Sequence, residues 1–192
     1  MPKGARRNAP RHRRRTGSMD ERKQENPHGY GVKYEKMLSS VYSNRALCEL
    51  LRLVGALAVL FSVFVLGVLL ATSQPRRAVE LAAVTVIPFI AVSVTRRLID
   101  APRPYELFAI FDSAPKKKKG EGFPSRHVFS AFLIATVCLP TLPVLSAVLF
   151  VLASAMAVSR VLLGIHFVRD VVAGAIIGAL SGGIGLLVLF LI

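Results

Sequence analysis

The chain has 192 residues, of which 53% are hydrophobic and 19% charged, and its formal net charge is +14. That length suggests one domain with a tail. The apolar mass excludes a wholly disordered basic protein, and the long uncharged runs exclude an ordinary soluble domain. Charge and hydrophobicity must therefore occupy different segments.

Residues 1–36 hold 11 Lys/Arg against 4 Asp/Glu, a net of +7 and half of the total charge. Arg11, Arg13, Arg14 and Arg15 cluster among Pro and Gly, without apolar periodicity, so this part reads as a disordered basic tail. It is not a secretory signal peptide, because the first apolar segment starts too late and runs too long. Its position beside a membrane segment favours cytoplasmic retention and contact with anionic lipids over nucleic-acid binding.

Residues 37–192 read as a membrane-embedded domain. Leu53–Thr72 is an uncharged run of about 20 residues, enough to cross a bilayer as a helix. Ala78–Thr95 is a second candidate, with Glu80 near its start and Pro88 inside it; neighbouring helices can satisfy the carbonyl that proline frees. A third begins at His127 and ends near Leu139, where Pro140 and Pro143 mark a tight turn. Val144–Leu163 is the fourth and Val171–Ile192 the fifth, the last with Gly174, Gly178, Gly182 and Gly185 suited to close helix packing. The fold class expected is all-α, a polytopic membrane helical bundle of about five transmembrane helices. The main polar region, residues 96–126, contains the helix-breaking Asp100-Ala-Pro-Arg-Pro, an apolar Tyr105–Phe111 suited to the membrane interface, and the cations Lys116–Lys119. Cys48 and Cys138 read as small buried hydrophobes.

Charges beside membrane spans are costly and need a reason. Arg96 and Arg103 follow the second span, Ser125, Arg126 and His127 open the third, Ser159 and Arg160 close the fourth, and His166 and Asp170 open the fifth. Alternate crossing brings all four groups to one membrane face. Several guanidiniums, a hydroxyl and exposed helix-start amides suit a tetrahedral oxyanion such as phosphate, with Ser125 placed as an N-cap. His166 and Asp170 stand four apart, so on a helix the carboxylate can hold the imidazole in one tautomer. His166 is then a candidate nucleophile on phosphorus, and His127 is available as general acid for the leaving oxygen. A metal site is disfavoured, because the arginines repel a cation and no set of residues has ligand spacing.

These residues resemble the type 2 phosphatidic acid phosphatase family, which shares its core with the vanadium haloperoxidases. The family's Lys-x6-Arg-Pro, Pro-Ser-Gly-His and Ser-Arg-x5-His-x3-Asp motifs are matched by Arg96-x6-Arg103-Pro104, Pro124-Ser125-Arg126-His127 and Ser159-Arg160-x5-His166-x3-Asp170. The resemblance implies that His166 forms a phosphohistidine, Asp170 orients it, and His127 protonates the leaving group and later activates water. It implies that Arg96, Arg103, Ser125 and Arg160 hold the phosphate, and that no metal or other cofactor is used. Two departures stand out. Arg96 replaces a lysine. Arg126 replaces a glycine whose amide approaches phosphate closely, and it can donate from its side chain or bind a second phosphate or a headgroup, which points to an active enzyme with altered substrate preference.

Five spans put the N-terminus and the cluster on one face, and the basic tail with Lys116–Lys119 assigns that face to the cytoplasm of a cell-membrane protein. The function expected is hydrolysis of a lipid phosphate or diphosphate: phosphatidate-like, phosphatidylglycerophosphate-like or polyprenyl. The competing reading is a non-catalytic membrane protein whose basic face binds anionic headgroups or a partner.

Overall fold

Helix α1 (Val32–Ser43) starts inside the stretch expected to be tail. Its Tyr34, Leu38 and Val41 recur at helical spacing; Leu38 and Val41 are buried, and Tyr34 packs its ring near those of Phe108 and Phe167. Burial of this apolar stripe supplies what the basic composition lacks. The computed structural model describes residues 32–108 and 119–191; the rest of the basic tail and Lys116–Lys118 lie outside them.

Asn44 separates α1 from α2 (Arg45–Thr72), its side chain accepting from the Leu47 N–H at 3.1 Å as an N-cap. After a short turn, Pro75 opens α3 (Pro75–Ile99), which continues through Pro88. Glu80, near the start of α3, pairs with Arg76 at 3.0 Å and Arg77 at 3.3 Å. Asp100 ends α3 in the left-handed region at φ 43°, a conformation that aspartate tolerates better than most residues. A short turn of helix, α4 (Pro104–Leu107), follows. Helices α5 (Arg126–Cys138), α6 (Pro143–Leu162) and α7 (Val168–Leu191) complete the described fold.

Among the described residues, α2, the α3–α4 segment, α6 and α7 are long and apolar enough to cross a membrane. The third expected span, α5, has 13 residues, which at 1.5 Å each extend about 20 Å, short of the roughly 30 Å hydrocarbon core. It is the central helix and runs from the end where α3 stops to the turn that opens α6. Val128, Phe129, Ala131, Leu133, Ile134, Ala135, Val137 and Cys138 are all buried, so it is apolar on every side because protein surrounds it. Phe129 and Leu133 share a core with Val65 and Leu69 of α2, Leu81 and Val92 of α3, and Leu149 of α6. The lipid-facing sides of the long helices carry exposed residues such as Leu60, Ile87, Val151 and Ile184.

The glycines of α7 let it lie directly against α5. A Cβ on Gly174 would stand 2.7 Å from the Ser125 carbonyl oxygen, one on Gly178 would run into the Phe129 carbonyl, and one on Gly182 would stand 2.9 Å from the Thr136 Cβ. Spaced four apart, these residues make one bare stripe along the helix. Gly185 faces Val84 of α3 instead. Both cysteines are buried and unpaired, and the Cys48 thiol donates to the Val41 carbonyl at 3.3 Å.

Candidate active site

The segment before α5 is shaped by its contacts with the turn after α3. Gly122 N–H donates to the Ala101 carbonyl at 2.6 Å, Glu121 N–H to Asp100 Oδ1 at 3.1 Å, and Gly120 N–H to Glu106 Oε1 at 2.9 Å. Gly120 and Glu121 both have positive φ, 68° and 52°. A Cβ on Gly122 would sit 2.7 Å from the Pro102 carbonyl oxygen, so only glycine allows this approach.

Arg96 and Arg103 hold that segment. The Arg96 guanidinium, 4% exposed, donates to the Pro124 and Glu121 carbonyls. Arg103 Nε donates to the Gly120 carbonyl at 2.9 Å. Read from the sequence as phosphate ligands, both thus also brace the loop. A guanidinium has five donors, and Arg96 Nε is buried without a hydrogen-bond partner.

On the other side, α6 closes with Gly164 at φ 58°. Leu163 N–H then bonds to the Ser159 carbonyl, and Ile165 and His166 N–H both reach the Arg160 carbonyl, at 3.0 and 3.3 Å. This left-handed turn folds the five-residue spacer back, so that His166 returns to the end of the helix carrying Arg160. Arg160 Nε is also buried and unpartnered. Beside it, α2 contributes Gly55, whose Cβ would lie 3.6 Å from Arg160 Nη2 and 3.5 Å from Ser159 Oγ. Ser159 itself donates to the Met156 carbonyl at 2.7 Å. Gly55→Leu is expected to displace the Arg160 side chain and, on the expectation that Arg160 holds phosphate, to raise KM for a phosphate substrate at least about tenfold. Gly55→Ala, which makes only ordinary contacts, is expected to stay within about twofold; steady-state kinetics separate the two.

His166 (2% exposed) and Asp170 (1% exposed) are buried together, but not on one helix. His166 precedes α7, and Asp170 lies in its first turn. Asp170 Oδ2 accepts from the Phe167 N–H at 2.9 Å, the carboxylate half of a capping box, and stands 3.8 Å from His166 Nδ1. The nearer partner of Nδ1 is the Gly122 carbonyl at 2.8 Å. A carbonyl only accepts, so Nδ1 carries the proton and the Nε2 lone pair is free. The expected Asp170 clamp is therefore shared: Gly122 sets the tautomer, and Asp170 supplies charge nearby. The sequence reading missed Gly122 in this role, because nothing in the spacing ties a loop glycine to a histidine 44 residues later. It also missed Arg169, whose Nε lies 3.4 Å from Asp170 Oδ1.

Ser125 occupies the N-cap position of α5, but its hydroxyl caps nothing. The residue is fully buried, its N–H donates to the Asp170 carbonyl at 2.9 Å, and its Oγ has no hydrogen-bond partner. That main-chain bond ties the segments carrying Ser125 and Asp170. His127 is exposed on the first turn of α5, close enough to Arg160, Arg126, His166 and Arg96 to feel their charges. Arg126, also exposed, places its guanidinium 5.6 Å from the Phe89 ring centroid. An apolar cavity of about 360 Å³, lined by residues of α2, α3 and α5, opens beside both. The four sequence segments therefore converge on one end of the bundle.

Helix α1 also reaches this end. Tyr42 OH donates to the Leu163 carbonyl at 3.1 Å, and the Tyr34 ring centroid lies 6.2 Å from that of Phe167. It thus flanks both ends of the loop that carries His166. Phe108, expected at the interface as part of Tyr105–Phe111, is buried with its ring 5.6 Å from Tyr34; residues 109–111 lie outside the described residues.

The pattern of the PAP2 superfamily matches residues 77–191, which include all of these expected site residues. The chain belongs to the PAP2 superfamily. Among solved structures, Aquifex aeolicus LpxE is similar at a TM-score of 0.61 and 22% identity, over 82% of this chain and 96% of that one. A PAP2-type phosphatidylglycerolphosphate phosphatase from Bacillus subtilis is similar at 0.60 and 22%, over 80% and 82%. No curated protein matches. The PAP2 match omits α1 and α2, so Tyr34, Tyr42 and Gly55 are contributions from outside it.

Proposed function

We propose that this integral membrane protein is a metal-independent phosphatase that hydrolyses a lipid phosphate or diphosphate through a phosphohistidine on His166. The observation that carries this reading is the buried His166 imidazole, protonated at Nδ1 by its bond to the Gly122 carbonyl and therefore nucleophilic at Nε2. Nε2 attacks phosphorus, the bond from phosphorus to the leaving oxygen breaks, and its electron pair stays on that oxygen, which takes a proton from His127. His127 then removes a proton from water, water oxygen attacks the phosphohistidine, and phosphate leaves as Nε2 recovers its lone pair. The remaining donors of Arg96, Arg103 and Arg160 and the buried Ser125 hydroxyl suit the phosphate oxygens, and Asp170 stabilises positive charge on the imidazole.

A lipid substrate is supported by the apolar cavity beside His127, on helices that cross the membrane. It is supported too by the similar Bacillus protein, described as a phosphatidylglycerolphosphate phosphatase. Phosphatidate-like, phosphatidylglycerophosphate-like and polyprenyl substrates are the panel to assay. Incubating the full chain in detergent with lipid phosphates labelled at the terminal phosphorus is expected to release phosphate and to leave an acid-labile, alkali-stable label on the protein. No release from any member overturns the proposal and favours the non-catalytic reading, in which the basic face binds headgroups.

The basic charge of residues 1–36 supports a site on the cytoplasmic side of the cell membrane, in contact with anionic lipid. A reporter fused after Ile192 is then external; a cytoplasmic reporter reverses this assignment.

His166 lies in the loop between α6 and α7. Burial holds its pKa below the usual histidine value; the Asp170 carboxylate opposes this, and the charges of Arg103 and Arg96 reinforce it. A nucleophile must be unprotonated, so the acid limb of kcat/KM is expected below about pH 6.5. Arg103→Gln removes a repelling charge, stabilises the imidazolium, and should move that limb to higher pH. A pH–rate profile with an unmoved limb would separate Arg103 from the nucleophile.

A further inference from the structure

We infer that Arg126 clamps the leaving-group phosphate of a lipid diphosphate whose single hydrocarbon chain occupies the groove between α2, α3 and α5. This rests on the phosphatase reading above and narrows its substrate.

Arg126 stands apart from the other arginines of the site. Arg96 and Arg103 are bonded to loop carbonyls, and Arg160 is packed beside Gly55. Arg126 has no carboxylate partner among the described residues; its contact is the Phe89 ring. A cation over an aromatic face, with no counter-charge, keeps its donors available to an anion.

Its position sets which anion. Arg126 and His127 both line the apolar groove, whose other walls include Val63, Val86, Leu66 and Ile134 and no acidic residue. His127 serves the leaving oxygen, so the groove is the leaving-group side, and Arg126 stands between the inner phosphate cluster and the chain. When phosphatidate or a prenyl monophosphate reacts there, the leaving group is a neutral alcohol, and a guanidinium at this position meets no negative charge; phosphatidylglycerophosphate leaves a phosphodiester, but one set back by a glycerol unit and carrying two acyl chains. When a diphosphate reacts, Nε2 of His166 attacks the terminal phosphorus and the bond from that phosphorus to the bridging oxygen breaks. The electron pair stays on the bridging oxygen, and the product is a lipid monophosphate whose charge Arg126 compensates. The groove's volume of about 360 Å³ is near the low end for ligand pockets, which suits one chain better than the two of a diacylglycerol lipid.

The test compares phosphate release by the full chain in detergent from farnesyl diphosphate, farnesyl monophosphate, phosphatidate and phosphatidylglycerophosphate, for the wild type, R126G and R126Q. The wild type is expected to prefer the diphosphate over the monophosphate by about tenfold or more in kcat/KM, and both variants to lose that preference by lowering the diphosphate rate more. Two variants guard against misfolding of one, and circular dichroism melting confirms that they fold. A wild type that prefers phosphatidate or phosphatidylglycerophosphate overturns the inference, as do variants that lower all four substrates equally or none; the phosphatase reading survives each of these results. A wild type inactive on all four overturns both.

Discussion

His166→Ala is expected to lower kcat for phosphate release by about 10⁴-fold or more, because in the proposed mechanism it removes the atom that bonds to phosphorus and leaves only the binding groups. The loss should appear on every substrate of the panel, together with loss of the acid-labile label. The fold should persist. The substitution leaves the Gly122 carbonyl without its 2.8 Å donor, a cost of about 1–3 kcal/mol, spread over a bundle whose main core lies elsewhere. Circular dichroism and size-exclusion profiles in detergent should therefore remain near wild type. Unchanged activity in this variant would remove the phosphohistidine step. Asp170→Asn tests the shared clamp: because Gly122 still holds Nδ1, the variant should keep more activity than His166→Ala. Equal losses would make the carboxylate the dominant partner.

Gly178→Val is expected to prevent assembly of the bundle. Its Cβ would enter the Phe129 carbonyl and stand 3.2 Å from the Leu133 nitrogen; both are backbone atoms of a buried helix and cannot rotate away. In a membrane, helix association depends on close van der Waals contact, since lipid is as apolar as the side chains. Separating α5 from α7 by the width of a branched side chain therefore forfeits the main contact of the central helix and carries an overpacking cost of about 3 kcal/mol or more. It also pulls Asp170 from Ser125, whose 2.9 Å main-chain bond joins the two halves of the site. The expected readout is aggregation or a broad early melt. Gly183→Ala is the control. Gly183 has open space around its Cα, so alanine there should be neutral or stabilising by up to about 1 kcal/mol. Parallel behaviour of the two variants would mean that the glycine stripe does not pack.

Much of the membrane domain was legible because hydropathy and parity act over long segments. Each long helix overlaps its expected span, and counting crossings placed His166, His127, Asp170, Ser125 and the four arginines at one end. The illegible parts are of two kinds. α1 straddles the boundary expected after residue 36, where the charge of the preceding stretch masks the helical spacing of Tyr34, Leu38 and Val41; a search for period rather than composition would find it. Gly122 and Gly55 hid because their roles depend on what lies opposite them, the His166 ring in one case and Arg160 in the other, and a glycine's neighbours leave no mark on its own segment.

The sequence by itself determined that this is an all-helical membrane protein with a basic terminal segment and that histidines, arginines, a serine and an aspartate meet at one end of its helices. Membrane insertion and crossing parity follow from chain-local hydrophobicity, so they can be read in one dimension. Only the tertiary structure decided that α5 is a short, enclosed central helix, that the Gly122 carbonyl holds the His166 proton, that Arg96 and Arg103 brace the loop, and that Arg126 lines an apolar groove. Those outcomes depend on distances between residues far apart in the chain, which close packing and hydrogen-bond direction set and spacing does not.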